Sequence, residues 1–132
     1  KDVVKVGAER FIIPTTTIRE SLRPQEDEIK TIKQEGEMLH IRGRMVPLVW
    51  LDRVLNIANP HAFTPSDGLV VIVENDGKEY GFVVDDLLGQ QHVVIKNLGA
   101  RFKGIPGILG GTILGDGKVG LILDVPGIVV MN

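Results

Sequence analysis

With 132 residues the chain can bury a core without metals or disulfides, and its 43% hydrophobic and 24% charged shares exclude a disordered or fibrous protein. The lack of cysteine excludes a disulfide framework, a thiolate metal site and a thiol nucleophile, and fits a reducing compartment. A net charge of -2 with no polybasic block disfavours nucleic acid, and no apolar run approaches the roughly 18 residues needed to span a bilayer.

Short apolar runs punctuated by Gly, Pro, Asn and Asp carry a strand-and-turn signature. In chain order they predict strands at Val3–Val6, Arg10–Pro14, Ile18–Leu22, Met38–Arg42 and Met45–Val49. Further strands are predicted at Leu69–Val73, Tyr80–Val84, Gln91–Ile95, Thr112–Leu114 and Val119–Asp124. Short helical pieces fit Trp50–Ile57, the residues after Val125, and the stretch around Asn97 to Lys103. Asn75-Asp76-Gly77 and Asp116-Gly117 supply the residues a tight hairpin needs, and Val6-Gly7-Ala8 and Arg42-Gly43-Arg44 are weaker examples. The stretch Asn56 to Asp67, with two prolines and no periodicity, is the longest connection. Lys1 followed at once by a β-like run has no signal-peptide layout and reads as the start of a fragment of a longer chain.

The flanks of that connection resemble each other. Glu9-Arg10-Phe11-Ile12-Ile13 aligns with Lys78-Glu79-Tyr80-Gly81-Phe82, and Gly43-Arg44-Met45-Val46-Pro47-Leu48-Val49 with Gly117-Lys118-Val119-Gly120-Leu121-Ile122-Leu123. Two matches in the same order indicate a duplicated unit of about five strands. The expectation is a single all-β domain of two small barrels packed together, approximately 1–67 and 68–132, with exchange of strands between them left open.

Candidate chemistry is sparse. His40, His61 and His92 have no metal-ligand spacing around them and read as surface or hairpin residues. Asp85 and Asp86 are adjacent, so on a strand they point to opposite faces and do not form an acid-base pair. Asp124 is placed to cap the helix after Val125. Gly104-Ile105-Pro106-Gly107-Ile108-Leu109-Gly110-Gly111 lacks the Lys-Ser/Thr of a phosphate loop, and Ser21 and Ser66 lie in no nucleophile elbow. Aromatics at 5% are too few for a single-strand-binding platform. No catalytic residues, cofactor or metal are expected. Attention falls instead on the surface, where Ile29 and Ile32 stand among charges and Val93, Val94 and Ile95 follow one another.

The run Val83-Val84-Asp85-Asp86-Leu87-Leu88-Gly89-Gln90-Gln91-His92-Val93-Val94-Ile95-Lys96-Asn97-Leu98-Gly99 resembles the CheW-like domain, in the version found in chemotaxis histidine kinases of the CheA type. Phe11-Ile12-Ile13-Pro14, Gly43-Arg44-Met45-Val46-Pro47-Leu48, and Ile113-Leu114-Gly115-Asp116-Gly117 leading to Leu121-Ile122-Leu123-Asp124-Val125 carry the resemblance over nearly the whole chain. Trp50 departs from the repeat, standing where the second half has Asp124.

The resemblance implies two SH3-like five-stranded β-barrels and a non-catalytic regulatory role. Such a domain docks the CheW adaptor, contacts the cytoplasmic tip of chemoreceptors and works with the other domains of the parent kinase, whose catalytic and phosphoacceptor segments are not in this sequence. It would act in the cytoplasm, at receptor arrays beneath the inner membrane. The resemblance implies an adaptor contact on the outer strands of the first barrel, for which Ile29, Ile32, Met38, Ile41 and Arg42 are candidates. A receptor groove near the junction of the barrels would draw on Val93, Ile95, Leu98 and Ile108. The alternatives are a free-standing CheW-type adaptor and, from another class, a ligand-binding β-barrel.

Overall fold

The structure is a computed structural model that describes residues 2–58, 67–90 and 104–132. The strands are β1 (Asp2–Val6), β2 (Glu9–Ile13), β3 (Ile18–Leu22), β4 (Ile29–Ile32), β5 (Gly36–Ile41), β6 (Arg44–Trp50), β7 (Leu69–Asn75), β8 (Lys78–Val84), β9 (Asp86–Gln90), β10 (Ile108–Ile113) and β11 (Val119–Leu123). Two short helices, α1 (Leu51–Val54) and α2 (Val125–Met131), follow β6 and β11.

The strands form a five-stranded sheet, β10-β11-β2-β1-β9, and a six-stranded sheet, β3-β7-β8-β6-β5-β4. Each sheet takes strands from both sides of the connection between 56 and 67. The β1-β2 hairpin is completed by β9, β10 and β11, and the β7-β8 hairpin by β3 to β6. In both sheets one parallel contact joins the halves: Ile122 lies opposite Ile12, and Leu48 opposite Gly81. These are equivalent pairs in the repeat alignment, so the two hairpins receive the other half's strand in the same register.

The central strands read as continuous apolar runs because both of their faces are buried. Val4 and Val6 of β1, Phe11 and Ile13 of β2, Val71 and Val73 of β7, and Phe82 and Val84 of β8 all join one core cluster drawn from both sheets. The alternate residues face away from it: Val3 and Ile12 pack with Leu114 and Ile122, while Val70, Ile72 and Val83 pack with Leu39, Ile41, Val46, Leu48 and Trp50. The period of two thus sorts successive residues into a central layer and two flanking ones.

The hairpin chemistry is direct. Asp76 and Gly77 both have positive φ (53° and 76°), as do Arg42 and Gly43 (46° and 76°), the combination a two-residue turn needs to match strand twist. Two strands were not among those expected. Ile29–Ile32 is a strand rather than a connection, which makes the second sheet six-stranded, and Asp86–Gln90 is a strand after a bend at Asp85. The helix expected at Trp50–Ile57 is regular only over Leu51–Val54, and β10 begins at Ile108 within the glycine-rich stretch. The strand expected at Gln91–Ile95, the helical piece around Asn97 to Lys103, and His61 and His92 lie outside the described residues.

Trp50 and Asp124 share a structural role although they differ chemically. Each is the residue at the N-cap of the helix that follows, and neither makes a side-chain cap bond. The cap expected of Asp124 is therefore positional: its backbone carbonyl accepts from Ile128 N at 2.8 Å, while its carboxylate lies over Gly127. Trp50 instead turns its indole into the core, donating Nε1–H to Glu37 Oε1 at 3.2 Å beneath the Arg53 guanidinium, 4.2 Å from the ring centroid.

Candidate docking surfaces

The outer strands β4 and β5 carry the first surface. Their register places Ile29 opposite Leu39 and Ile32 opposite Gly36, with Met38 opposite both Lys30 and Pro47. Because side chains alternate, Leu39, Ile41 and Ile29 share the inner face, and Ile32, Met38 and Lys30 the outer one. Burial agrees: Leu39 and Ile41 are core residues at 0% and 5% exposure, and Ile29 packs against them.

The five adaptor-contact candidates are therefore not one surface. Ile41 is corrected to a core residue, since a side chain buried in the core cannot also reach a partner, and Ile29 packs inward beside it. Ile32 and Met38 are half-buried on the outer face; Met38 lies diagonally across from the exposed Met45, which pairs with His40. Arg42 is exposed in the β5-β6 turn and bonded to the Glu20 carboxylate, which holds its pKa above the ordinary arginine value through that hydrogen bond and the opposite charge. The outer face is thus a small apolar patch of Ile32, Met38, Met45 and Pro47, edged by Lys30 and His40.

The second surface is a groove of about 820 Å³ where the two halves meet. One side is built by Ala8, Glu9 and Phe11, another by Val54, Leu55 and Ile57 in and after α1, and a third by Ile105, Pro106 and Ile108, with Leu121 of β11. Ile108 lines this groove while remaining only 9% exposed, because its side chain also belongs to the central core. It is a wall residue rather than a projecting contact. Val93, Ile95 and Leu98 lie outside the described residues.

Sequence reading missed Leu55, Ile57 and Ile105. A signal was present in the apolar Leu55 and Ile57 after the short helix, although both also pack against the central core.

The acidic pair at the β8-β9 bend has structural work. Asp85 accepts from Gly7 N at 2.8 Å, and its own N–H donates to Lys5 O at 2.8 Å, which ties the bend to the β1-β2 turn. Asp86 accepts from Leu87 N and lies 3.5 Å from Arg23. Among the described residues no three His, Cys, Asp or Glu side chains gather as a metal site would require, and no helix is long and apolar enough to cross a membrane.

The family model of the CheW-like domain matches residues 3–131. The chain belongs to the CheW-like domain family. This CheW-like domain is 42% identical over 129 residues to the chemotaxis protein CheA of Klebsiella aerogenes, covering 98% of the chain and 20% of that protein. It is 40% identical over 131 residues to CheA of Rhizobium meliloti, covering 98% of the chain and 17% of that protein. The sensor histidine kinase CheAY of Helicobacter pylori is 37% identical over 123 residues, or 93% of the chain and 15% of that protein. The CheW-like domain thus spans about a fifth or less of these curated relatives. Its fold is similar to that of the scaffolding protein TtCheW from Thermoanaerobacter tengcongensis, with a TM-score of 0.73 at 17% identity, over 93% of this chain and 86% of that one.

Proposed function

We propose that this domain is a non-catalytic docking and regulatory module of a chemotaxis histidine kinase, coupling a CheW-type adaptor and the cytoplasmic tip of chemoreceptors to control of the kinase. The observation that carries this reading is the similarity along almost the entire chain to CheA proteins several times its length. A free-standing adaptor would share the fold, but the 17% identity to the scaffold protein is well below the 42% and 40% to the kinases. The reading assigns no chemistry to this chain and leaves phosphoryl transfer to other parts of the parent protein. It places the domain in the cytoplasm, beneath the inner membrane at receptor arrays.

In this reading the adaptor meets the patch of Ile32 and Met38 on the outer face of β4 and β5, and the receptor tip meets the groove between the halves. Each contact is a few apolar anchors with a polar rim, and repetition in an array strengthens contacts that are individually modest.

Titration of the domain with its cognate CheW-type adaptor, followed by calorimetry, tests this. Saturable one-to-one binding is expected, and Ile32→Asp should weaken it roughly thirtyfold, as loss of a ~2 kcal/mol anchor would. Ile32 is half-buried on an outer strand, so the variant should lose some stability yet stay folded, which its own unfolding curve checks. No binding at about 100 μM, equivalent to less than about 5.5 kcal/mol, or full affinity in a folded Ile32→Asp, would overturn the assignment.

A further inference from the structure

β6 and β8 pair over Leu48–Trp50 and Gly81–Val83. Ahead of that ladder they part at Pro47, which has no N–H with which to extend it. The gap is a pocket of about 320 Å³, lined by Arg44, Met45 and Pro47 of β6 and by Lys78, Glu79 and Tyr80 of β8. Its walls carry two cations and one anion. The anion is already engaged: Arg44 Nη2 donates to Glu79 Oε2 at 3.4 Å, and Arg44 Nε lies 2.7 Å from Oε1. That second contact is an ion pair without hydrogen-bond geometry, since the buried Nε–H has no aligned acceptor. The guanidinium is therefore held but not saturated, with donors to spare.

Lys78 is exposed, and among the described residues no ion pair or side-chain hydrogen bond engages its ammonium. Glu74, opposite Glu79 on β7, is taken by Arg19, and Glu20 is taken by Arg42, so neither carboxylate is left for Lys78. The pocket thus has a surplus of positive charge. Its position matters as much, because Met45 and Pro47 belong both to the pocket and to the apolar patch beside Ile32 and Met38. A partner seated on that patch also covers the mouth of the pocket. Covering a surplus cation without an anion is costly, whereas covering it with a carboxylate is not.

Building on the adaptor-side docking reading above, we propose that this pocket is a specificity site for the adaptor and takes one of its aspartate or glutamate side chains, which accepts from Lys78 and from the Arg44 guanidinium. The apolar patch supplies the affinity. The pocket supplies register, and it rejects an adaptor with a lysine or arginine at that position. Glu79 is the internal competitor, since it holds the guanidinium in the free domain and repels the incoming carboxylate.

The experiment titrates the cognate CheW-type adaptor against the wild-type domain, Lys78→Gln, Lys78→Glu, Glu79→Gln and Ile32→Asp, with an unfolding curve for each. Lys78→Gln should weaken binding about threefold, as for an exposed ion pair, and Lys78→Glu about tenfold, because attraction is replaced by repulsion. Glu79→Gln should tighten binding about threefold, an effect that mere loss of the Arg44 contact would not produce. Raising salt from about 0.05 to about 0.5 M should weaken wild-type binding more than Lys78→Gln binding. Each acidic surface residue of the adaptor is then changed in turn to its amide. One of these changes should weaken binding to the wild-type domain and have no further effect on Lys78→Gln. If Ile32→Asp weakens binding while the Lys78 variants match wild type in affinity and salt dependence, or if Glu79→Gln weakens binding, the pocket assignment is wrong and the patch assignment stands. If the adaptor does not bind, or a folded Ile32→Asp binds as wild type, the patch assignment falls and the pocket falls with it.

Discussion

Phe82→Ala should lower the unfolding free energy of the domain by about 3–5 kcal/mol, the range for truncating a buried phenylalanine. Phe82 has no exposed surface, and its strand β8 lies between β7 and β6, with Val71 and Val49 directly opposite. Its ring fills the layer shared by both sheets, alongside Phe11 and Leu123, so removing it leaves a cavity with walls on two sheets that cannot both close in. Typical domains have about 5–15 kcal/mol in total, so the loss is a large share of what holds the halves together. Urea unfolding followed through the single tryptophan, Trp50, should show a lower midpoint with an unchanged slope. A loss below about 1 kcal/mol would mean that this layer is not the packed centre described above.

The second large effect concerns two glycines with the same backbone and different surroundings. Gly107 and Gly77 have φ of +82° and +76°, where a side chain costs about 1–2 kcal/mol. A Cβ on Gly77 meets nothing within 4 Å, so Gly77→Ala should cost that amount alone. A Cβ on Gly107 would stand 2.7 Å from Ile128 Cδ1, 3.0 Å from Leu55 Cδ2 and 3.2 Å from Met131 Sδ. Gly107→Ala should therefore add an overpacking cost of about 1–3 kcal/mol. Leu55 lines the groove and Ile128 and Met131 belong to α2, so the groove wall and the last helix meet at this glycine. Equal unfolding free energies for the two variants would mean that α2 is not seated against Gly107 as described.

Much of the strand pattern was legible because local chemistry and tertiary burial agree. Ile18–Leu22 has the predicted bounds, and β7 and β8 extend the predicted Leu69–Val73 and Tyr80–Val84 by two residues each, towards their shared turn. The weaker signals belong to edge strands. β4 carries Lys30 and Thr31 between its isoleucines, and β9 runs from Asp86 through Gly89 to Gln90, so neither shows the apolar continuity of a strand buried on two faces. Face assignment was harder. Ile41 and Met38 are equally apolar, and only the pairing of Leu39 with Val46 and Met38 with Pro47 decides that Ile41 enters the core while Met38 does not. The groove was illegible for a different reason, since Phe11, Leu55 and Ile105 are distant in the chain and periodicity carries no information on which segments meet.

The measurement that tests the account most directly is a spectrum of the isotope-labelled domain, with its isoleucine, leucine and methionine methyl groups assigned, titrated first with the adaptor and then with the receptor tip fragment. The account predicts that the adaptor shifts Ile32 and Met38 on the outer face of β4 and β5, and that the receptor fragment shifts Leu55, Ile57 and Ile105 around the groove. The core methyl of Leu39 should move little in either case. Shifts from both partners confined to one common surface, or adaptor shifts that bypass β4 and β5, would contradict a domain that docks two partners on two separate faces.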